Sequence, residues 1–119
     1  MNSKEYQEYI KKFDKYPKNL NLVMYALGLG GESGEVQEKV KKLYRDKKGI
    51  IDKDFIKAMR KELGDVLWYL VMICNKLHID LEDVMEENKN KLDTRETLDM
   101  INGDGDDREK WVKQKDSLS

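Results

Sequence analysis

One cysteine, one proline and one histidine in 119 residues exclude several ways of building and using a protein. A lone Cys74 can form no disulfide within the chain, and its place in an apolar run reads as a small buried hydrophobe rather than a nucleophile. With so little proline, a sandwich or barrel rich in turns does not fit. Long hydrophobic runs are lacking too: the longest, residues 66–74, is far too short to cross a bilayer. The opening "MNSKEYQEYI" has no apolar stretch of the kind that makes a signal peptide, so a cytoplasmic chain with no membrane partner is expected. Nor is there an excess of one charge. Lys and Arg number 23 against 24 Asp and Glu, dispersed along the chain, with no basic stripe to grip a nucleic acid.

What is present is charge and helical periodicity. Charged residues make up 39% and hydrophobic residues 39%, a balance that suits one all-α domain with a heavily solvated surface. A short amphipathic helix is expected over residues 3–14, ending before Pro17. A long helical pattern follows over residues 20–44, with Leu20, Val23, Leu27, Val36, Val40 and Leu43 among its apolar positions and Gly49 as the stop. The next helix is expected from Asp52 or just after it to residue 77. Its middle, "DVLWYLVMIC", is apolar nearly all round, so it must be covered on more than one side. In so short a chain a neighbouring subunit is the natural cover, which predicts a helical bundle completed by homo-oligomerisation, as dimer or tetramer. A fourth helix follows, with Asp80 as N-cap candidate and Leu81, Val84, Met85 and Leu92 as its stripe. The domain is thus expected over residues 1–96, and residues 97–119, rich in Gly and Asp, read as a mobile or lid-like tail.

The stretch "GLGGESGEVQEK", residues 28–39, interrupts this pattern with four glycines. It is no Walker loop, since no Gly-Lys-Ser/Thr follows, and its spacing is not that of a dinucleotide fingerprint. A helix that runs straight through is expected instead. Each interior glycine then costs roughly 1 kcal/mol relative to alanine, so something must approach the backbone closely there, a ligand or another helix.

On that helix Glu32 and Glu35 are three apart and share a face; Glu62 and Asp65 repeat the arrangement on the next one. Spacing alone means little, because the sequence holds ten acidic pairs at i, i+3. Context separates these two. Glu62 and Asp65 lead into the most apolar helix of the chain, and Glu32 and Glu35 stand among small residues. Antiparallel packing could bring all four carboxylates together, where they would repel unless cations sat between them. Magnesium fits an all-oxygen set that also leaves positions for substrate phosphates, with Mn²⁺ as a substitute; the single His78 argues against zinc.

In order, spacing and glycine context these residues resemble the MazG-like all-α nucleoside triphosphate pyrophosphohydrolases. E-x-x-E at Glu32/Glu35 is followed, after 26 residues, by E-x-x-D at Glu62/Asp65 and then by "VLWYL". The likeness continues through "NKNKLDTR", with Asn88, Lys91 and Arg95, and into "NGDGDDR", and it spans roughly residues 20–108. It implies Mg²⁺-dependent hydrolysis of a (d)NTP to the monophosphate and pyrophosphate by an oligomeric helical enzyme. It implies Glu32, Glu35, Glu62 and Asp65 as metal ligands, with Glu32 or Glu35 orienting or deprotonating the attacking water. Lys91 and Arg95 suit phosphate oxygens, although they would need no explanation as surface charges. Asn88, on the same face, needs hydrogen-bond partners that a nucleotide or a neighbouring helix could supply. Tyr69, one turn after Asp65, serves either as a border to sugar or base or as a core aromatic. Lys39, four after Glu35, is expected to pair with it along the helix. Two other readings stay open: a narrower dCTP, dUTP or phosphoribosyl-ATP pyrophosphatase, and a non-catalytic helical interaction module.

Overall fold

A computed structural model describes residues 1–98, in which every regular element is helical and no strand occurs. The first helix, α1 (Ser3–Tyr9), starts where the Asn2 side chain accepts a hydrogen bond from the Glu5 amide at 2.8 Å, and it tightens into a 3₁₀ turn over Ile10–Phe13. The expected helix over 3–14 is therefore two kinds of helix in succession. Pro17 lies in the irregular link that follows.

Helix α2 (Asn21–Lys47) runs unbroken through Gly28, Gly30, Gly31 and Gly34, as the flanking periodicity required. Its 27 residues span roughly 40 Å. The stop comes at Lys48, with φ of 56°, and continues through Gly49 at φ of 76°, whose amide donates to the Leu43 carbonyl at 3.1 Å. Two successive left-handed residues reverse the chain and satisfy a carbonyl left open at the helix end.

Helix α3 (Lys53–Lys76) is capped by Asp52, whose Oδ1 accepts from the Phe55 amide at 2.8 Å. Because this cap is exposed and makes one well-formed bond, Asp52→Ala is expected to cost about 1 kcal/mol. Chemical denaturation would read that loss as a lower midpoint with an unchanged slope. The short link from α2 makes the two helices an antiparallel hairpin, and the pairs along its seam show it. Lys39 faces Glu62, Glu32 faces Asp65, and Gly28 faces Tyr69.

At the end of α3 the chain turns through His78, with φ of 55°, which has a structural place in this turn. The Gln7 side chain donates to the Ile79 carbonyl at 2.7 Å and accepts from the Leu81 amide at 3.0 Å. Asn75 Nδ2 donates to the Gln7 carbonyl at 3.0 Å, so the N-terminal helix is stitched to the turn after α3. The first compact unit, Met1–Leu81, has its core here: Ile10, Tyr25, Val71, Met72 and Leu81, flanked by Tyr6, Tyr16, Trp68 and Tyr69. Cys74 is buried.

The second unit begins at Glu82 and holds nearly all of α4 (Leu81–Thr97), braced along its length by Lys89 and Asp93 at 2.8 Å. The tail motif at 102–108 lies outside the described residues. None of the helices described is long and apolar enough to cross a membrane.

The core is small for the apolar residues available. Val23 and Leu27 run along one face of α2, with Leu20 just before its start, and Ile56, Leu63 and Leu67 along one face of α3, all of them exposed in the single chain. Leu27 is 67% exposed and Leu63 53%, unusual for leucines at the middle of long helices.

Candidate metal centre

Midway along the hairpin, Glu32 from α2 and Glu62 and Asp65 from α3 bring their carboxylates together. One oxygen from each lies within 4.8 Å of the others. The helices dictate this. Positions 62 and 65 are nearly one turn apart on α3, so both side chains leave the same face, and the antiparallel register sets Glu32 opposite them. Glu32 and Glu62 are half-buried, while Asp65 is exposed. Glu35 is exposed and stands outside this convergence; its charge still acts on Glu32.

Lys39 does not form the expected pair along its own helix. Its Nζ crosses the seam to Glu62 Oε1 at 3.6 Å. Seven residues separate Lys39 from Glu32, two helical turns, which puts them on one face of α2 and would have signalled the contact. One ammonium against three carboxylates leaves the cluster with excess negative charge.

That excess shows in Glu32. Partial burial, then the charges of Asp65, Glu62 and Glu35, then a hydrogen bond shared with Glu62 raise its pKa above the ordinary 4.5. Between that ordinary value and the raised one, the folded chain binds more protons than the unfolded chain. Stability conferred through Glu32 is therefore present at low pH and lost as pH rises through the window. Melting metal-free wild type and Glu32→Gln side by side tests this. The two are expected to agree near pH 4 and to diverge as pH rises, with Glu32→Gln the more stable at neutral pH. Saturating Mg²⁺ is expected to raise the melting temperature of wild type and not that of the variant.

Beside the carboxylates, one turn along α3, stands Tyr69. Its ring meets Trp68 edge to face at 5.0 Å, and its hydroxyl lies 3.4 Å from that of Tyr16. The hydrogen bond to Tyr16, burial, and the nearby charges of Glu32 and Asp65 push its pKa up to about 12, so it keeps its proton at neutral pH. The ring lies directly on Gly28 of α2, where an added Cβ would overlap its atoms. At Gly30, Gly31, Gly34 and Gly64 the same Cβ would meet no atom of the described chain within 4 Å. One glycine thus serves a helix contact, and the others leave open space beside the acids. Tyr16, in the irregular link, has no periodicity to mark it, and sequence reasoning missed it.

Asn88, Lys91 and Arg95 lie on α4 of the second unit at i, i+3 and i+7, hence along one face.

The sequence that builds this hairpin is similar to that of known proteins. Gene 37 protein of Mycobacterium phage L5 is 44% identical over 83 residues, which cover 70% of this chain and 73% of that protein. The uncharacterized protein YpjD of Bacillus subtilis (strain 168) is 31% identical over 85 residues, 71% of this chain and 66% of its own length. No solved structure matches. Residues 21–98, which hold all of α2, α3 and α4 and every carboxylate of the cluster, match the MazG nucleotide pyrophosphohydrolase domain, and the chain belongs to that family.

Proposed function

We propose that this chain is a Mg²⁺-dependent hydrolase that converts a (d)NTP to its monophosphate and pyrophosphate, clearing unwanted nucleotides from the cytoplasmic pool. The observation that carries this reading is the convergence of Glu32, Glu62 and Asp65 within 4.8 Å on the α2–α3 hairpin of a MazG domain. The donor set suits the ion. It is all oxygen, it repels itself when empty, and it is open enough to admit substrate phosphates. Glu32, Glu35, Glu62 and Asp65 would hold Mg²⁺, or Mn²⁺ in its place. The bound cation would neutralise the triphosphate and stabilise charge developing at the α-phosphoryl group.

The chain's own residues do the rest. Water oxygen attacks the α-phosphorus, the bond to the bridging oxygen of the β-phosphate breaks, and pyrophosphate leaves with that electron pair. The water's proton passes to a carboxylate of the first pair. Glu35 has the room for this role, since it is exposed and outside the convergence. Tyr69 borders sugar or base, and its protonated hydroxyl donates. By the resemblance, Asn88, Lys91 and Arg95 are the further candidates as donors for phosphate oxygens. The exposed apolar faces of α2 and α3 are covered by further copies of the chain, giving a dimer or tetramer.

A product assay tests the reading. A panel of (d)NTPs incubated with and without Mg²⁺ is expected to yield monophosphate and pyrophosphate, and nothing when EDTA is present. Diphosphate and orthophosphate would mean that a different bond breaks. If no nucleotide is turned over, a specialised substrate or a non-catalytic interaction module takes the place of this function.

A further inference from the structure

We propose that Tyr16 is a positioning residue for this site. From the link between the 3₁₀ turn and α2, it holds the Tyr69 hydroxyl so that its proton points to the bound nucleotide. The inference rests on the nucleotide-hydrolase reading above.

Four aromatic side chains form a closed circuit beside the carboxylates. Tyr16 meets the edge of Tyr25 at 5.9 Å, Tyr25 meets Trp68 at 6.1 Å, and Trp68 meets Tyr69 at 5.0 Å. The circuit closes through the two hydroxyls of Tyr69 and Tyr16, 3.4 Å apart. Tyr25 is fully buried, so the circuit is anchored in the core. Its other end is fixed by Gly28, which admits the Tyr69 ring against the α2 backbone. The link carrying Tyr16 is itself held, because the Tyr16 amide donates to Asp14 Oδ1 at 3.2 Å. Neither ring is free to wander.

Either hydroxyl can donate in the unliganded pair, and a bound nucleotide chooses between the two directions, because its phosphate or sugar oxygen takes the Tyr69 proton. Tyr69 oxygen is then left as the acceptor, and Tyr16 donates to it. At 3.4 Å the bond is long for two hydroxyls. It has room to shorten when a phosphate or sugar oxygen takes the Tyr69 proton, since each bond in such a chain polarises the next. Tyr16 touches no reacting atom in this arrangement; its effect passes entirely through Tyr69.

Tyr16→Phe keeps the ring and its contact with Tyr25 while removing the donor. The test measures binding of the α,β-imido analogues of the four dNTPs with Mg²⁺, and KM and kcat on the dNTPs themselves. Wild type, Tyr16→Phe, Tyr69→Phe and the double variant are compared. Tyr16→Phe is expected to weaken analogue binding and raise KM about 3- to 10-fold, to change kcat less than about 2-fold, and to melt within a degree or so of wild type. In the Tyr69→Phe background the same change is expected to do nothing further, as two members of one hydrogen-bonded chain require. If wild type hydrolyses a dNTP and Tyr16→Phe matches it, or loses as much in either background, the positioning role is overturned and the hydrolase reading stands. If wild type neither binds nor hydrolyses any of them, both fall together.

Discussion

Asp65→Asn is expected to lower turnover by about 10²- to 10³-fold or more while leaving helix content and assembly as they are. Removing one carboxylate from a three-oxygen convergence takes away both a candidate ligand and a third of the charge that would attract a cation. Asp65 is exposed, so the substitution leaves no cavity, and the metal-free protein is expected to melt no lower than wild type, or slightly higher, once a like charge is gone. Glu62→Ala should abolish turnover equally but separate less cleanly, because it also strips the half-buried Lys39 of its partner. Rate assays, thermal melts with and without Mg²⁺, and size-exclusion chromatography read the three consequences apart. Loss of assembly at retained turnover would reverse the reading and make these acids part of an interface. A site built for a cation is destabilising when empty, and that signature distinguishes it from a patch of solvated acids.

The second large effect is at Gly28. Alanine there should gain about 1 kcal/mol of helix propensity, yet its Cβ would overlap the Tyr69 ring, a rigid body with Trp68 against it. Overpacking of this kind costs about 1–3 kcal/mol. Expulsion of the ring would also expose its apolar face, so a net loss is expected, read as a Tm lower by about 5–10 °C. Pairing Gly28→Ala with Tyr69→Ala removes the overlap, and the double variant is expected to be more stable than the sum of the single effects. Gly30, Gly31 and Gly34 should behave in the opposite way. Alanine at these positions meets open space in the single chain, so each substitution is expected to leave stability unchanged or raise it by up to about 1 kcal/mol. Activity should nonetheless fall if a metal–nucleotide complex needs that space. Destabilisation at any of the three would instead mark it as ground covered by a second copy.

Much of this architecture is local and could be read along the chain. The helix through the glycines follows from matched periodicity on both sides of residues 28–34, since a loop would have broken the phase. The start of α3 at Asp52 and the stop at Gly49 follow from capping chemistry that acts within four residues. These features depend on neighbours three or four residues apart, and such neighbours are fixed by the helix itself.

Other features depend on register. Ten acidic pairs at i, i+3 are equivalent on any helical wheel; the antiparallel hairpin selects Glu32, Glu62 and Asp65 and leaves Glu35 to one side. The same register turns Lys39 from its own helix to Glu62, and makes Gly28, alone among the four glycines of its stretch, the floor for an aromatic ring. Tyr16 reaches Tyr69 across 53 positions of sequence from an irregular link, where no periodicity applies. Taken by itself, the sequence determined the helices, their ends, the acids available and the family they resemble, because each rests on short-range geometry or on order along the chain. Only the tertiary structure decided which acids meet, that Lys39 pairs with Glu62, and which ring lies over which glycine. Those contacts join residues on different elements, and the rotation and offset of one helix against another are set by side-chain packing along the whole seam.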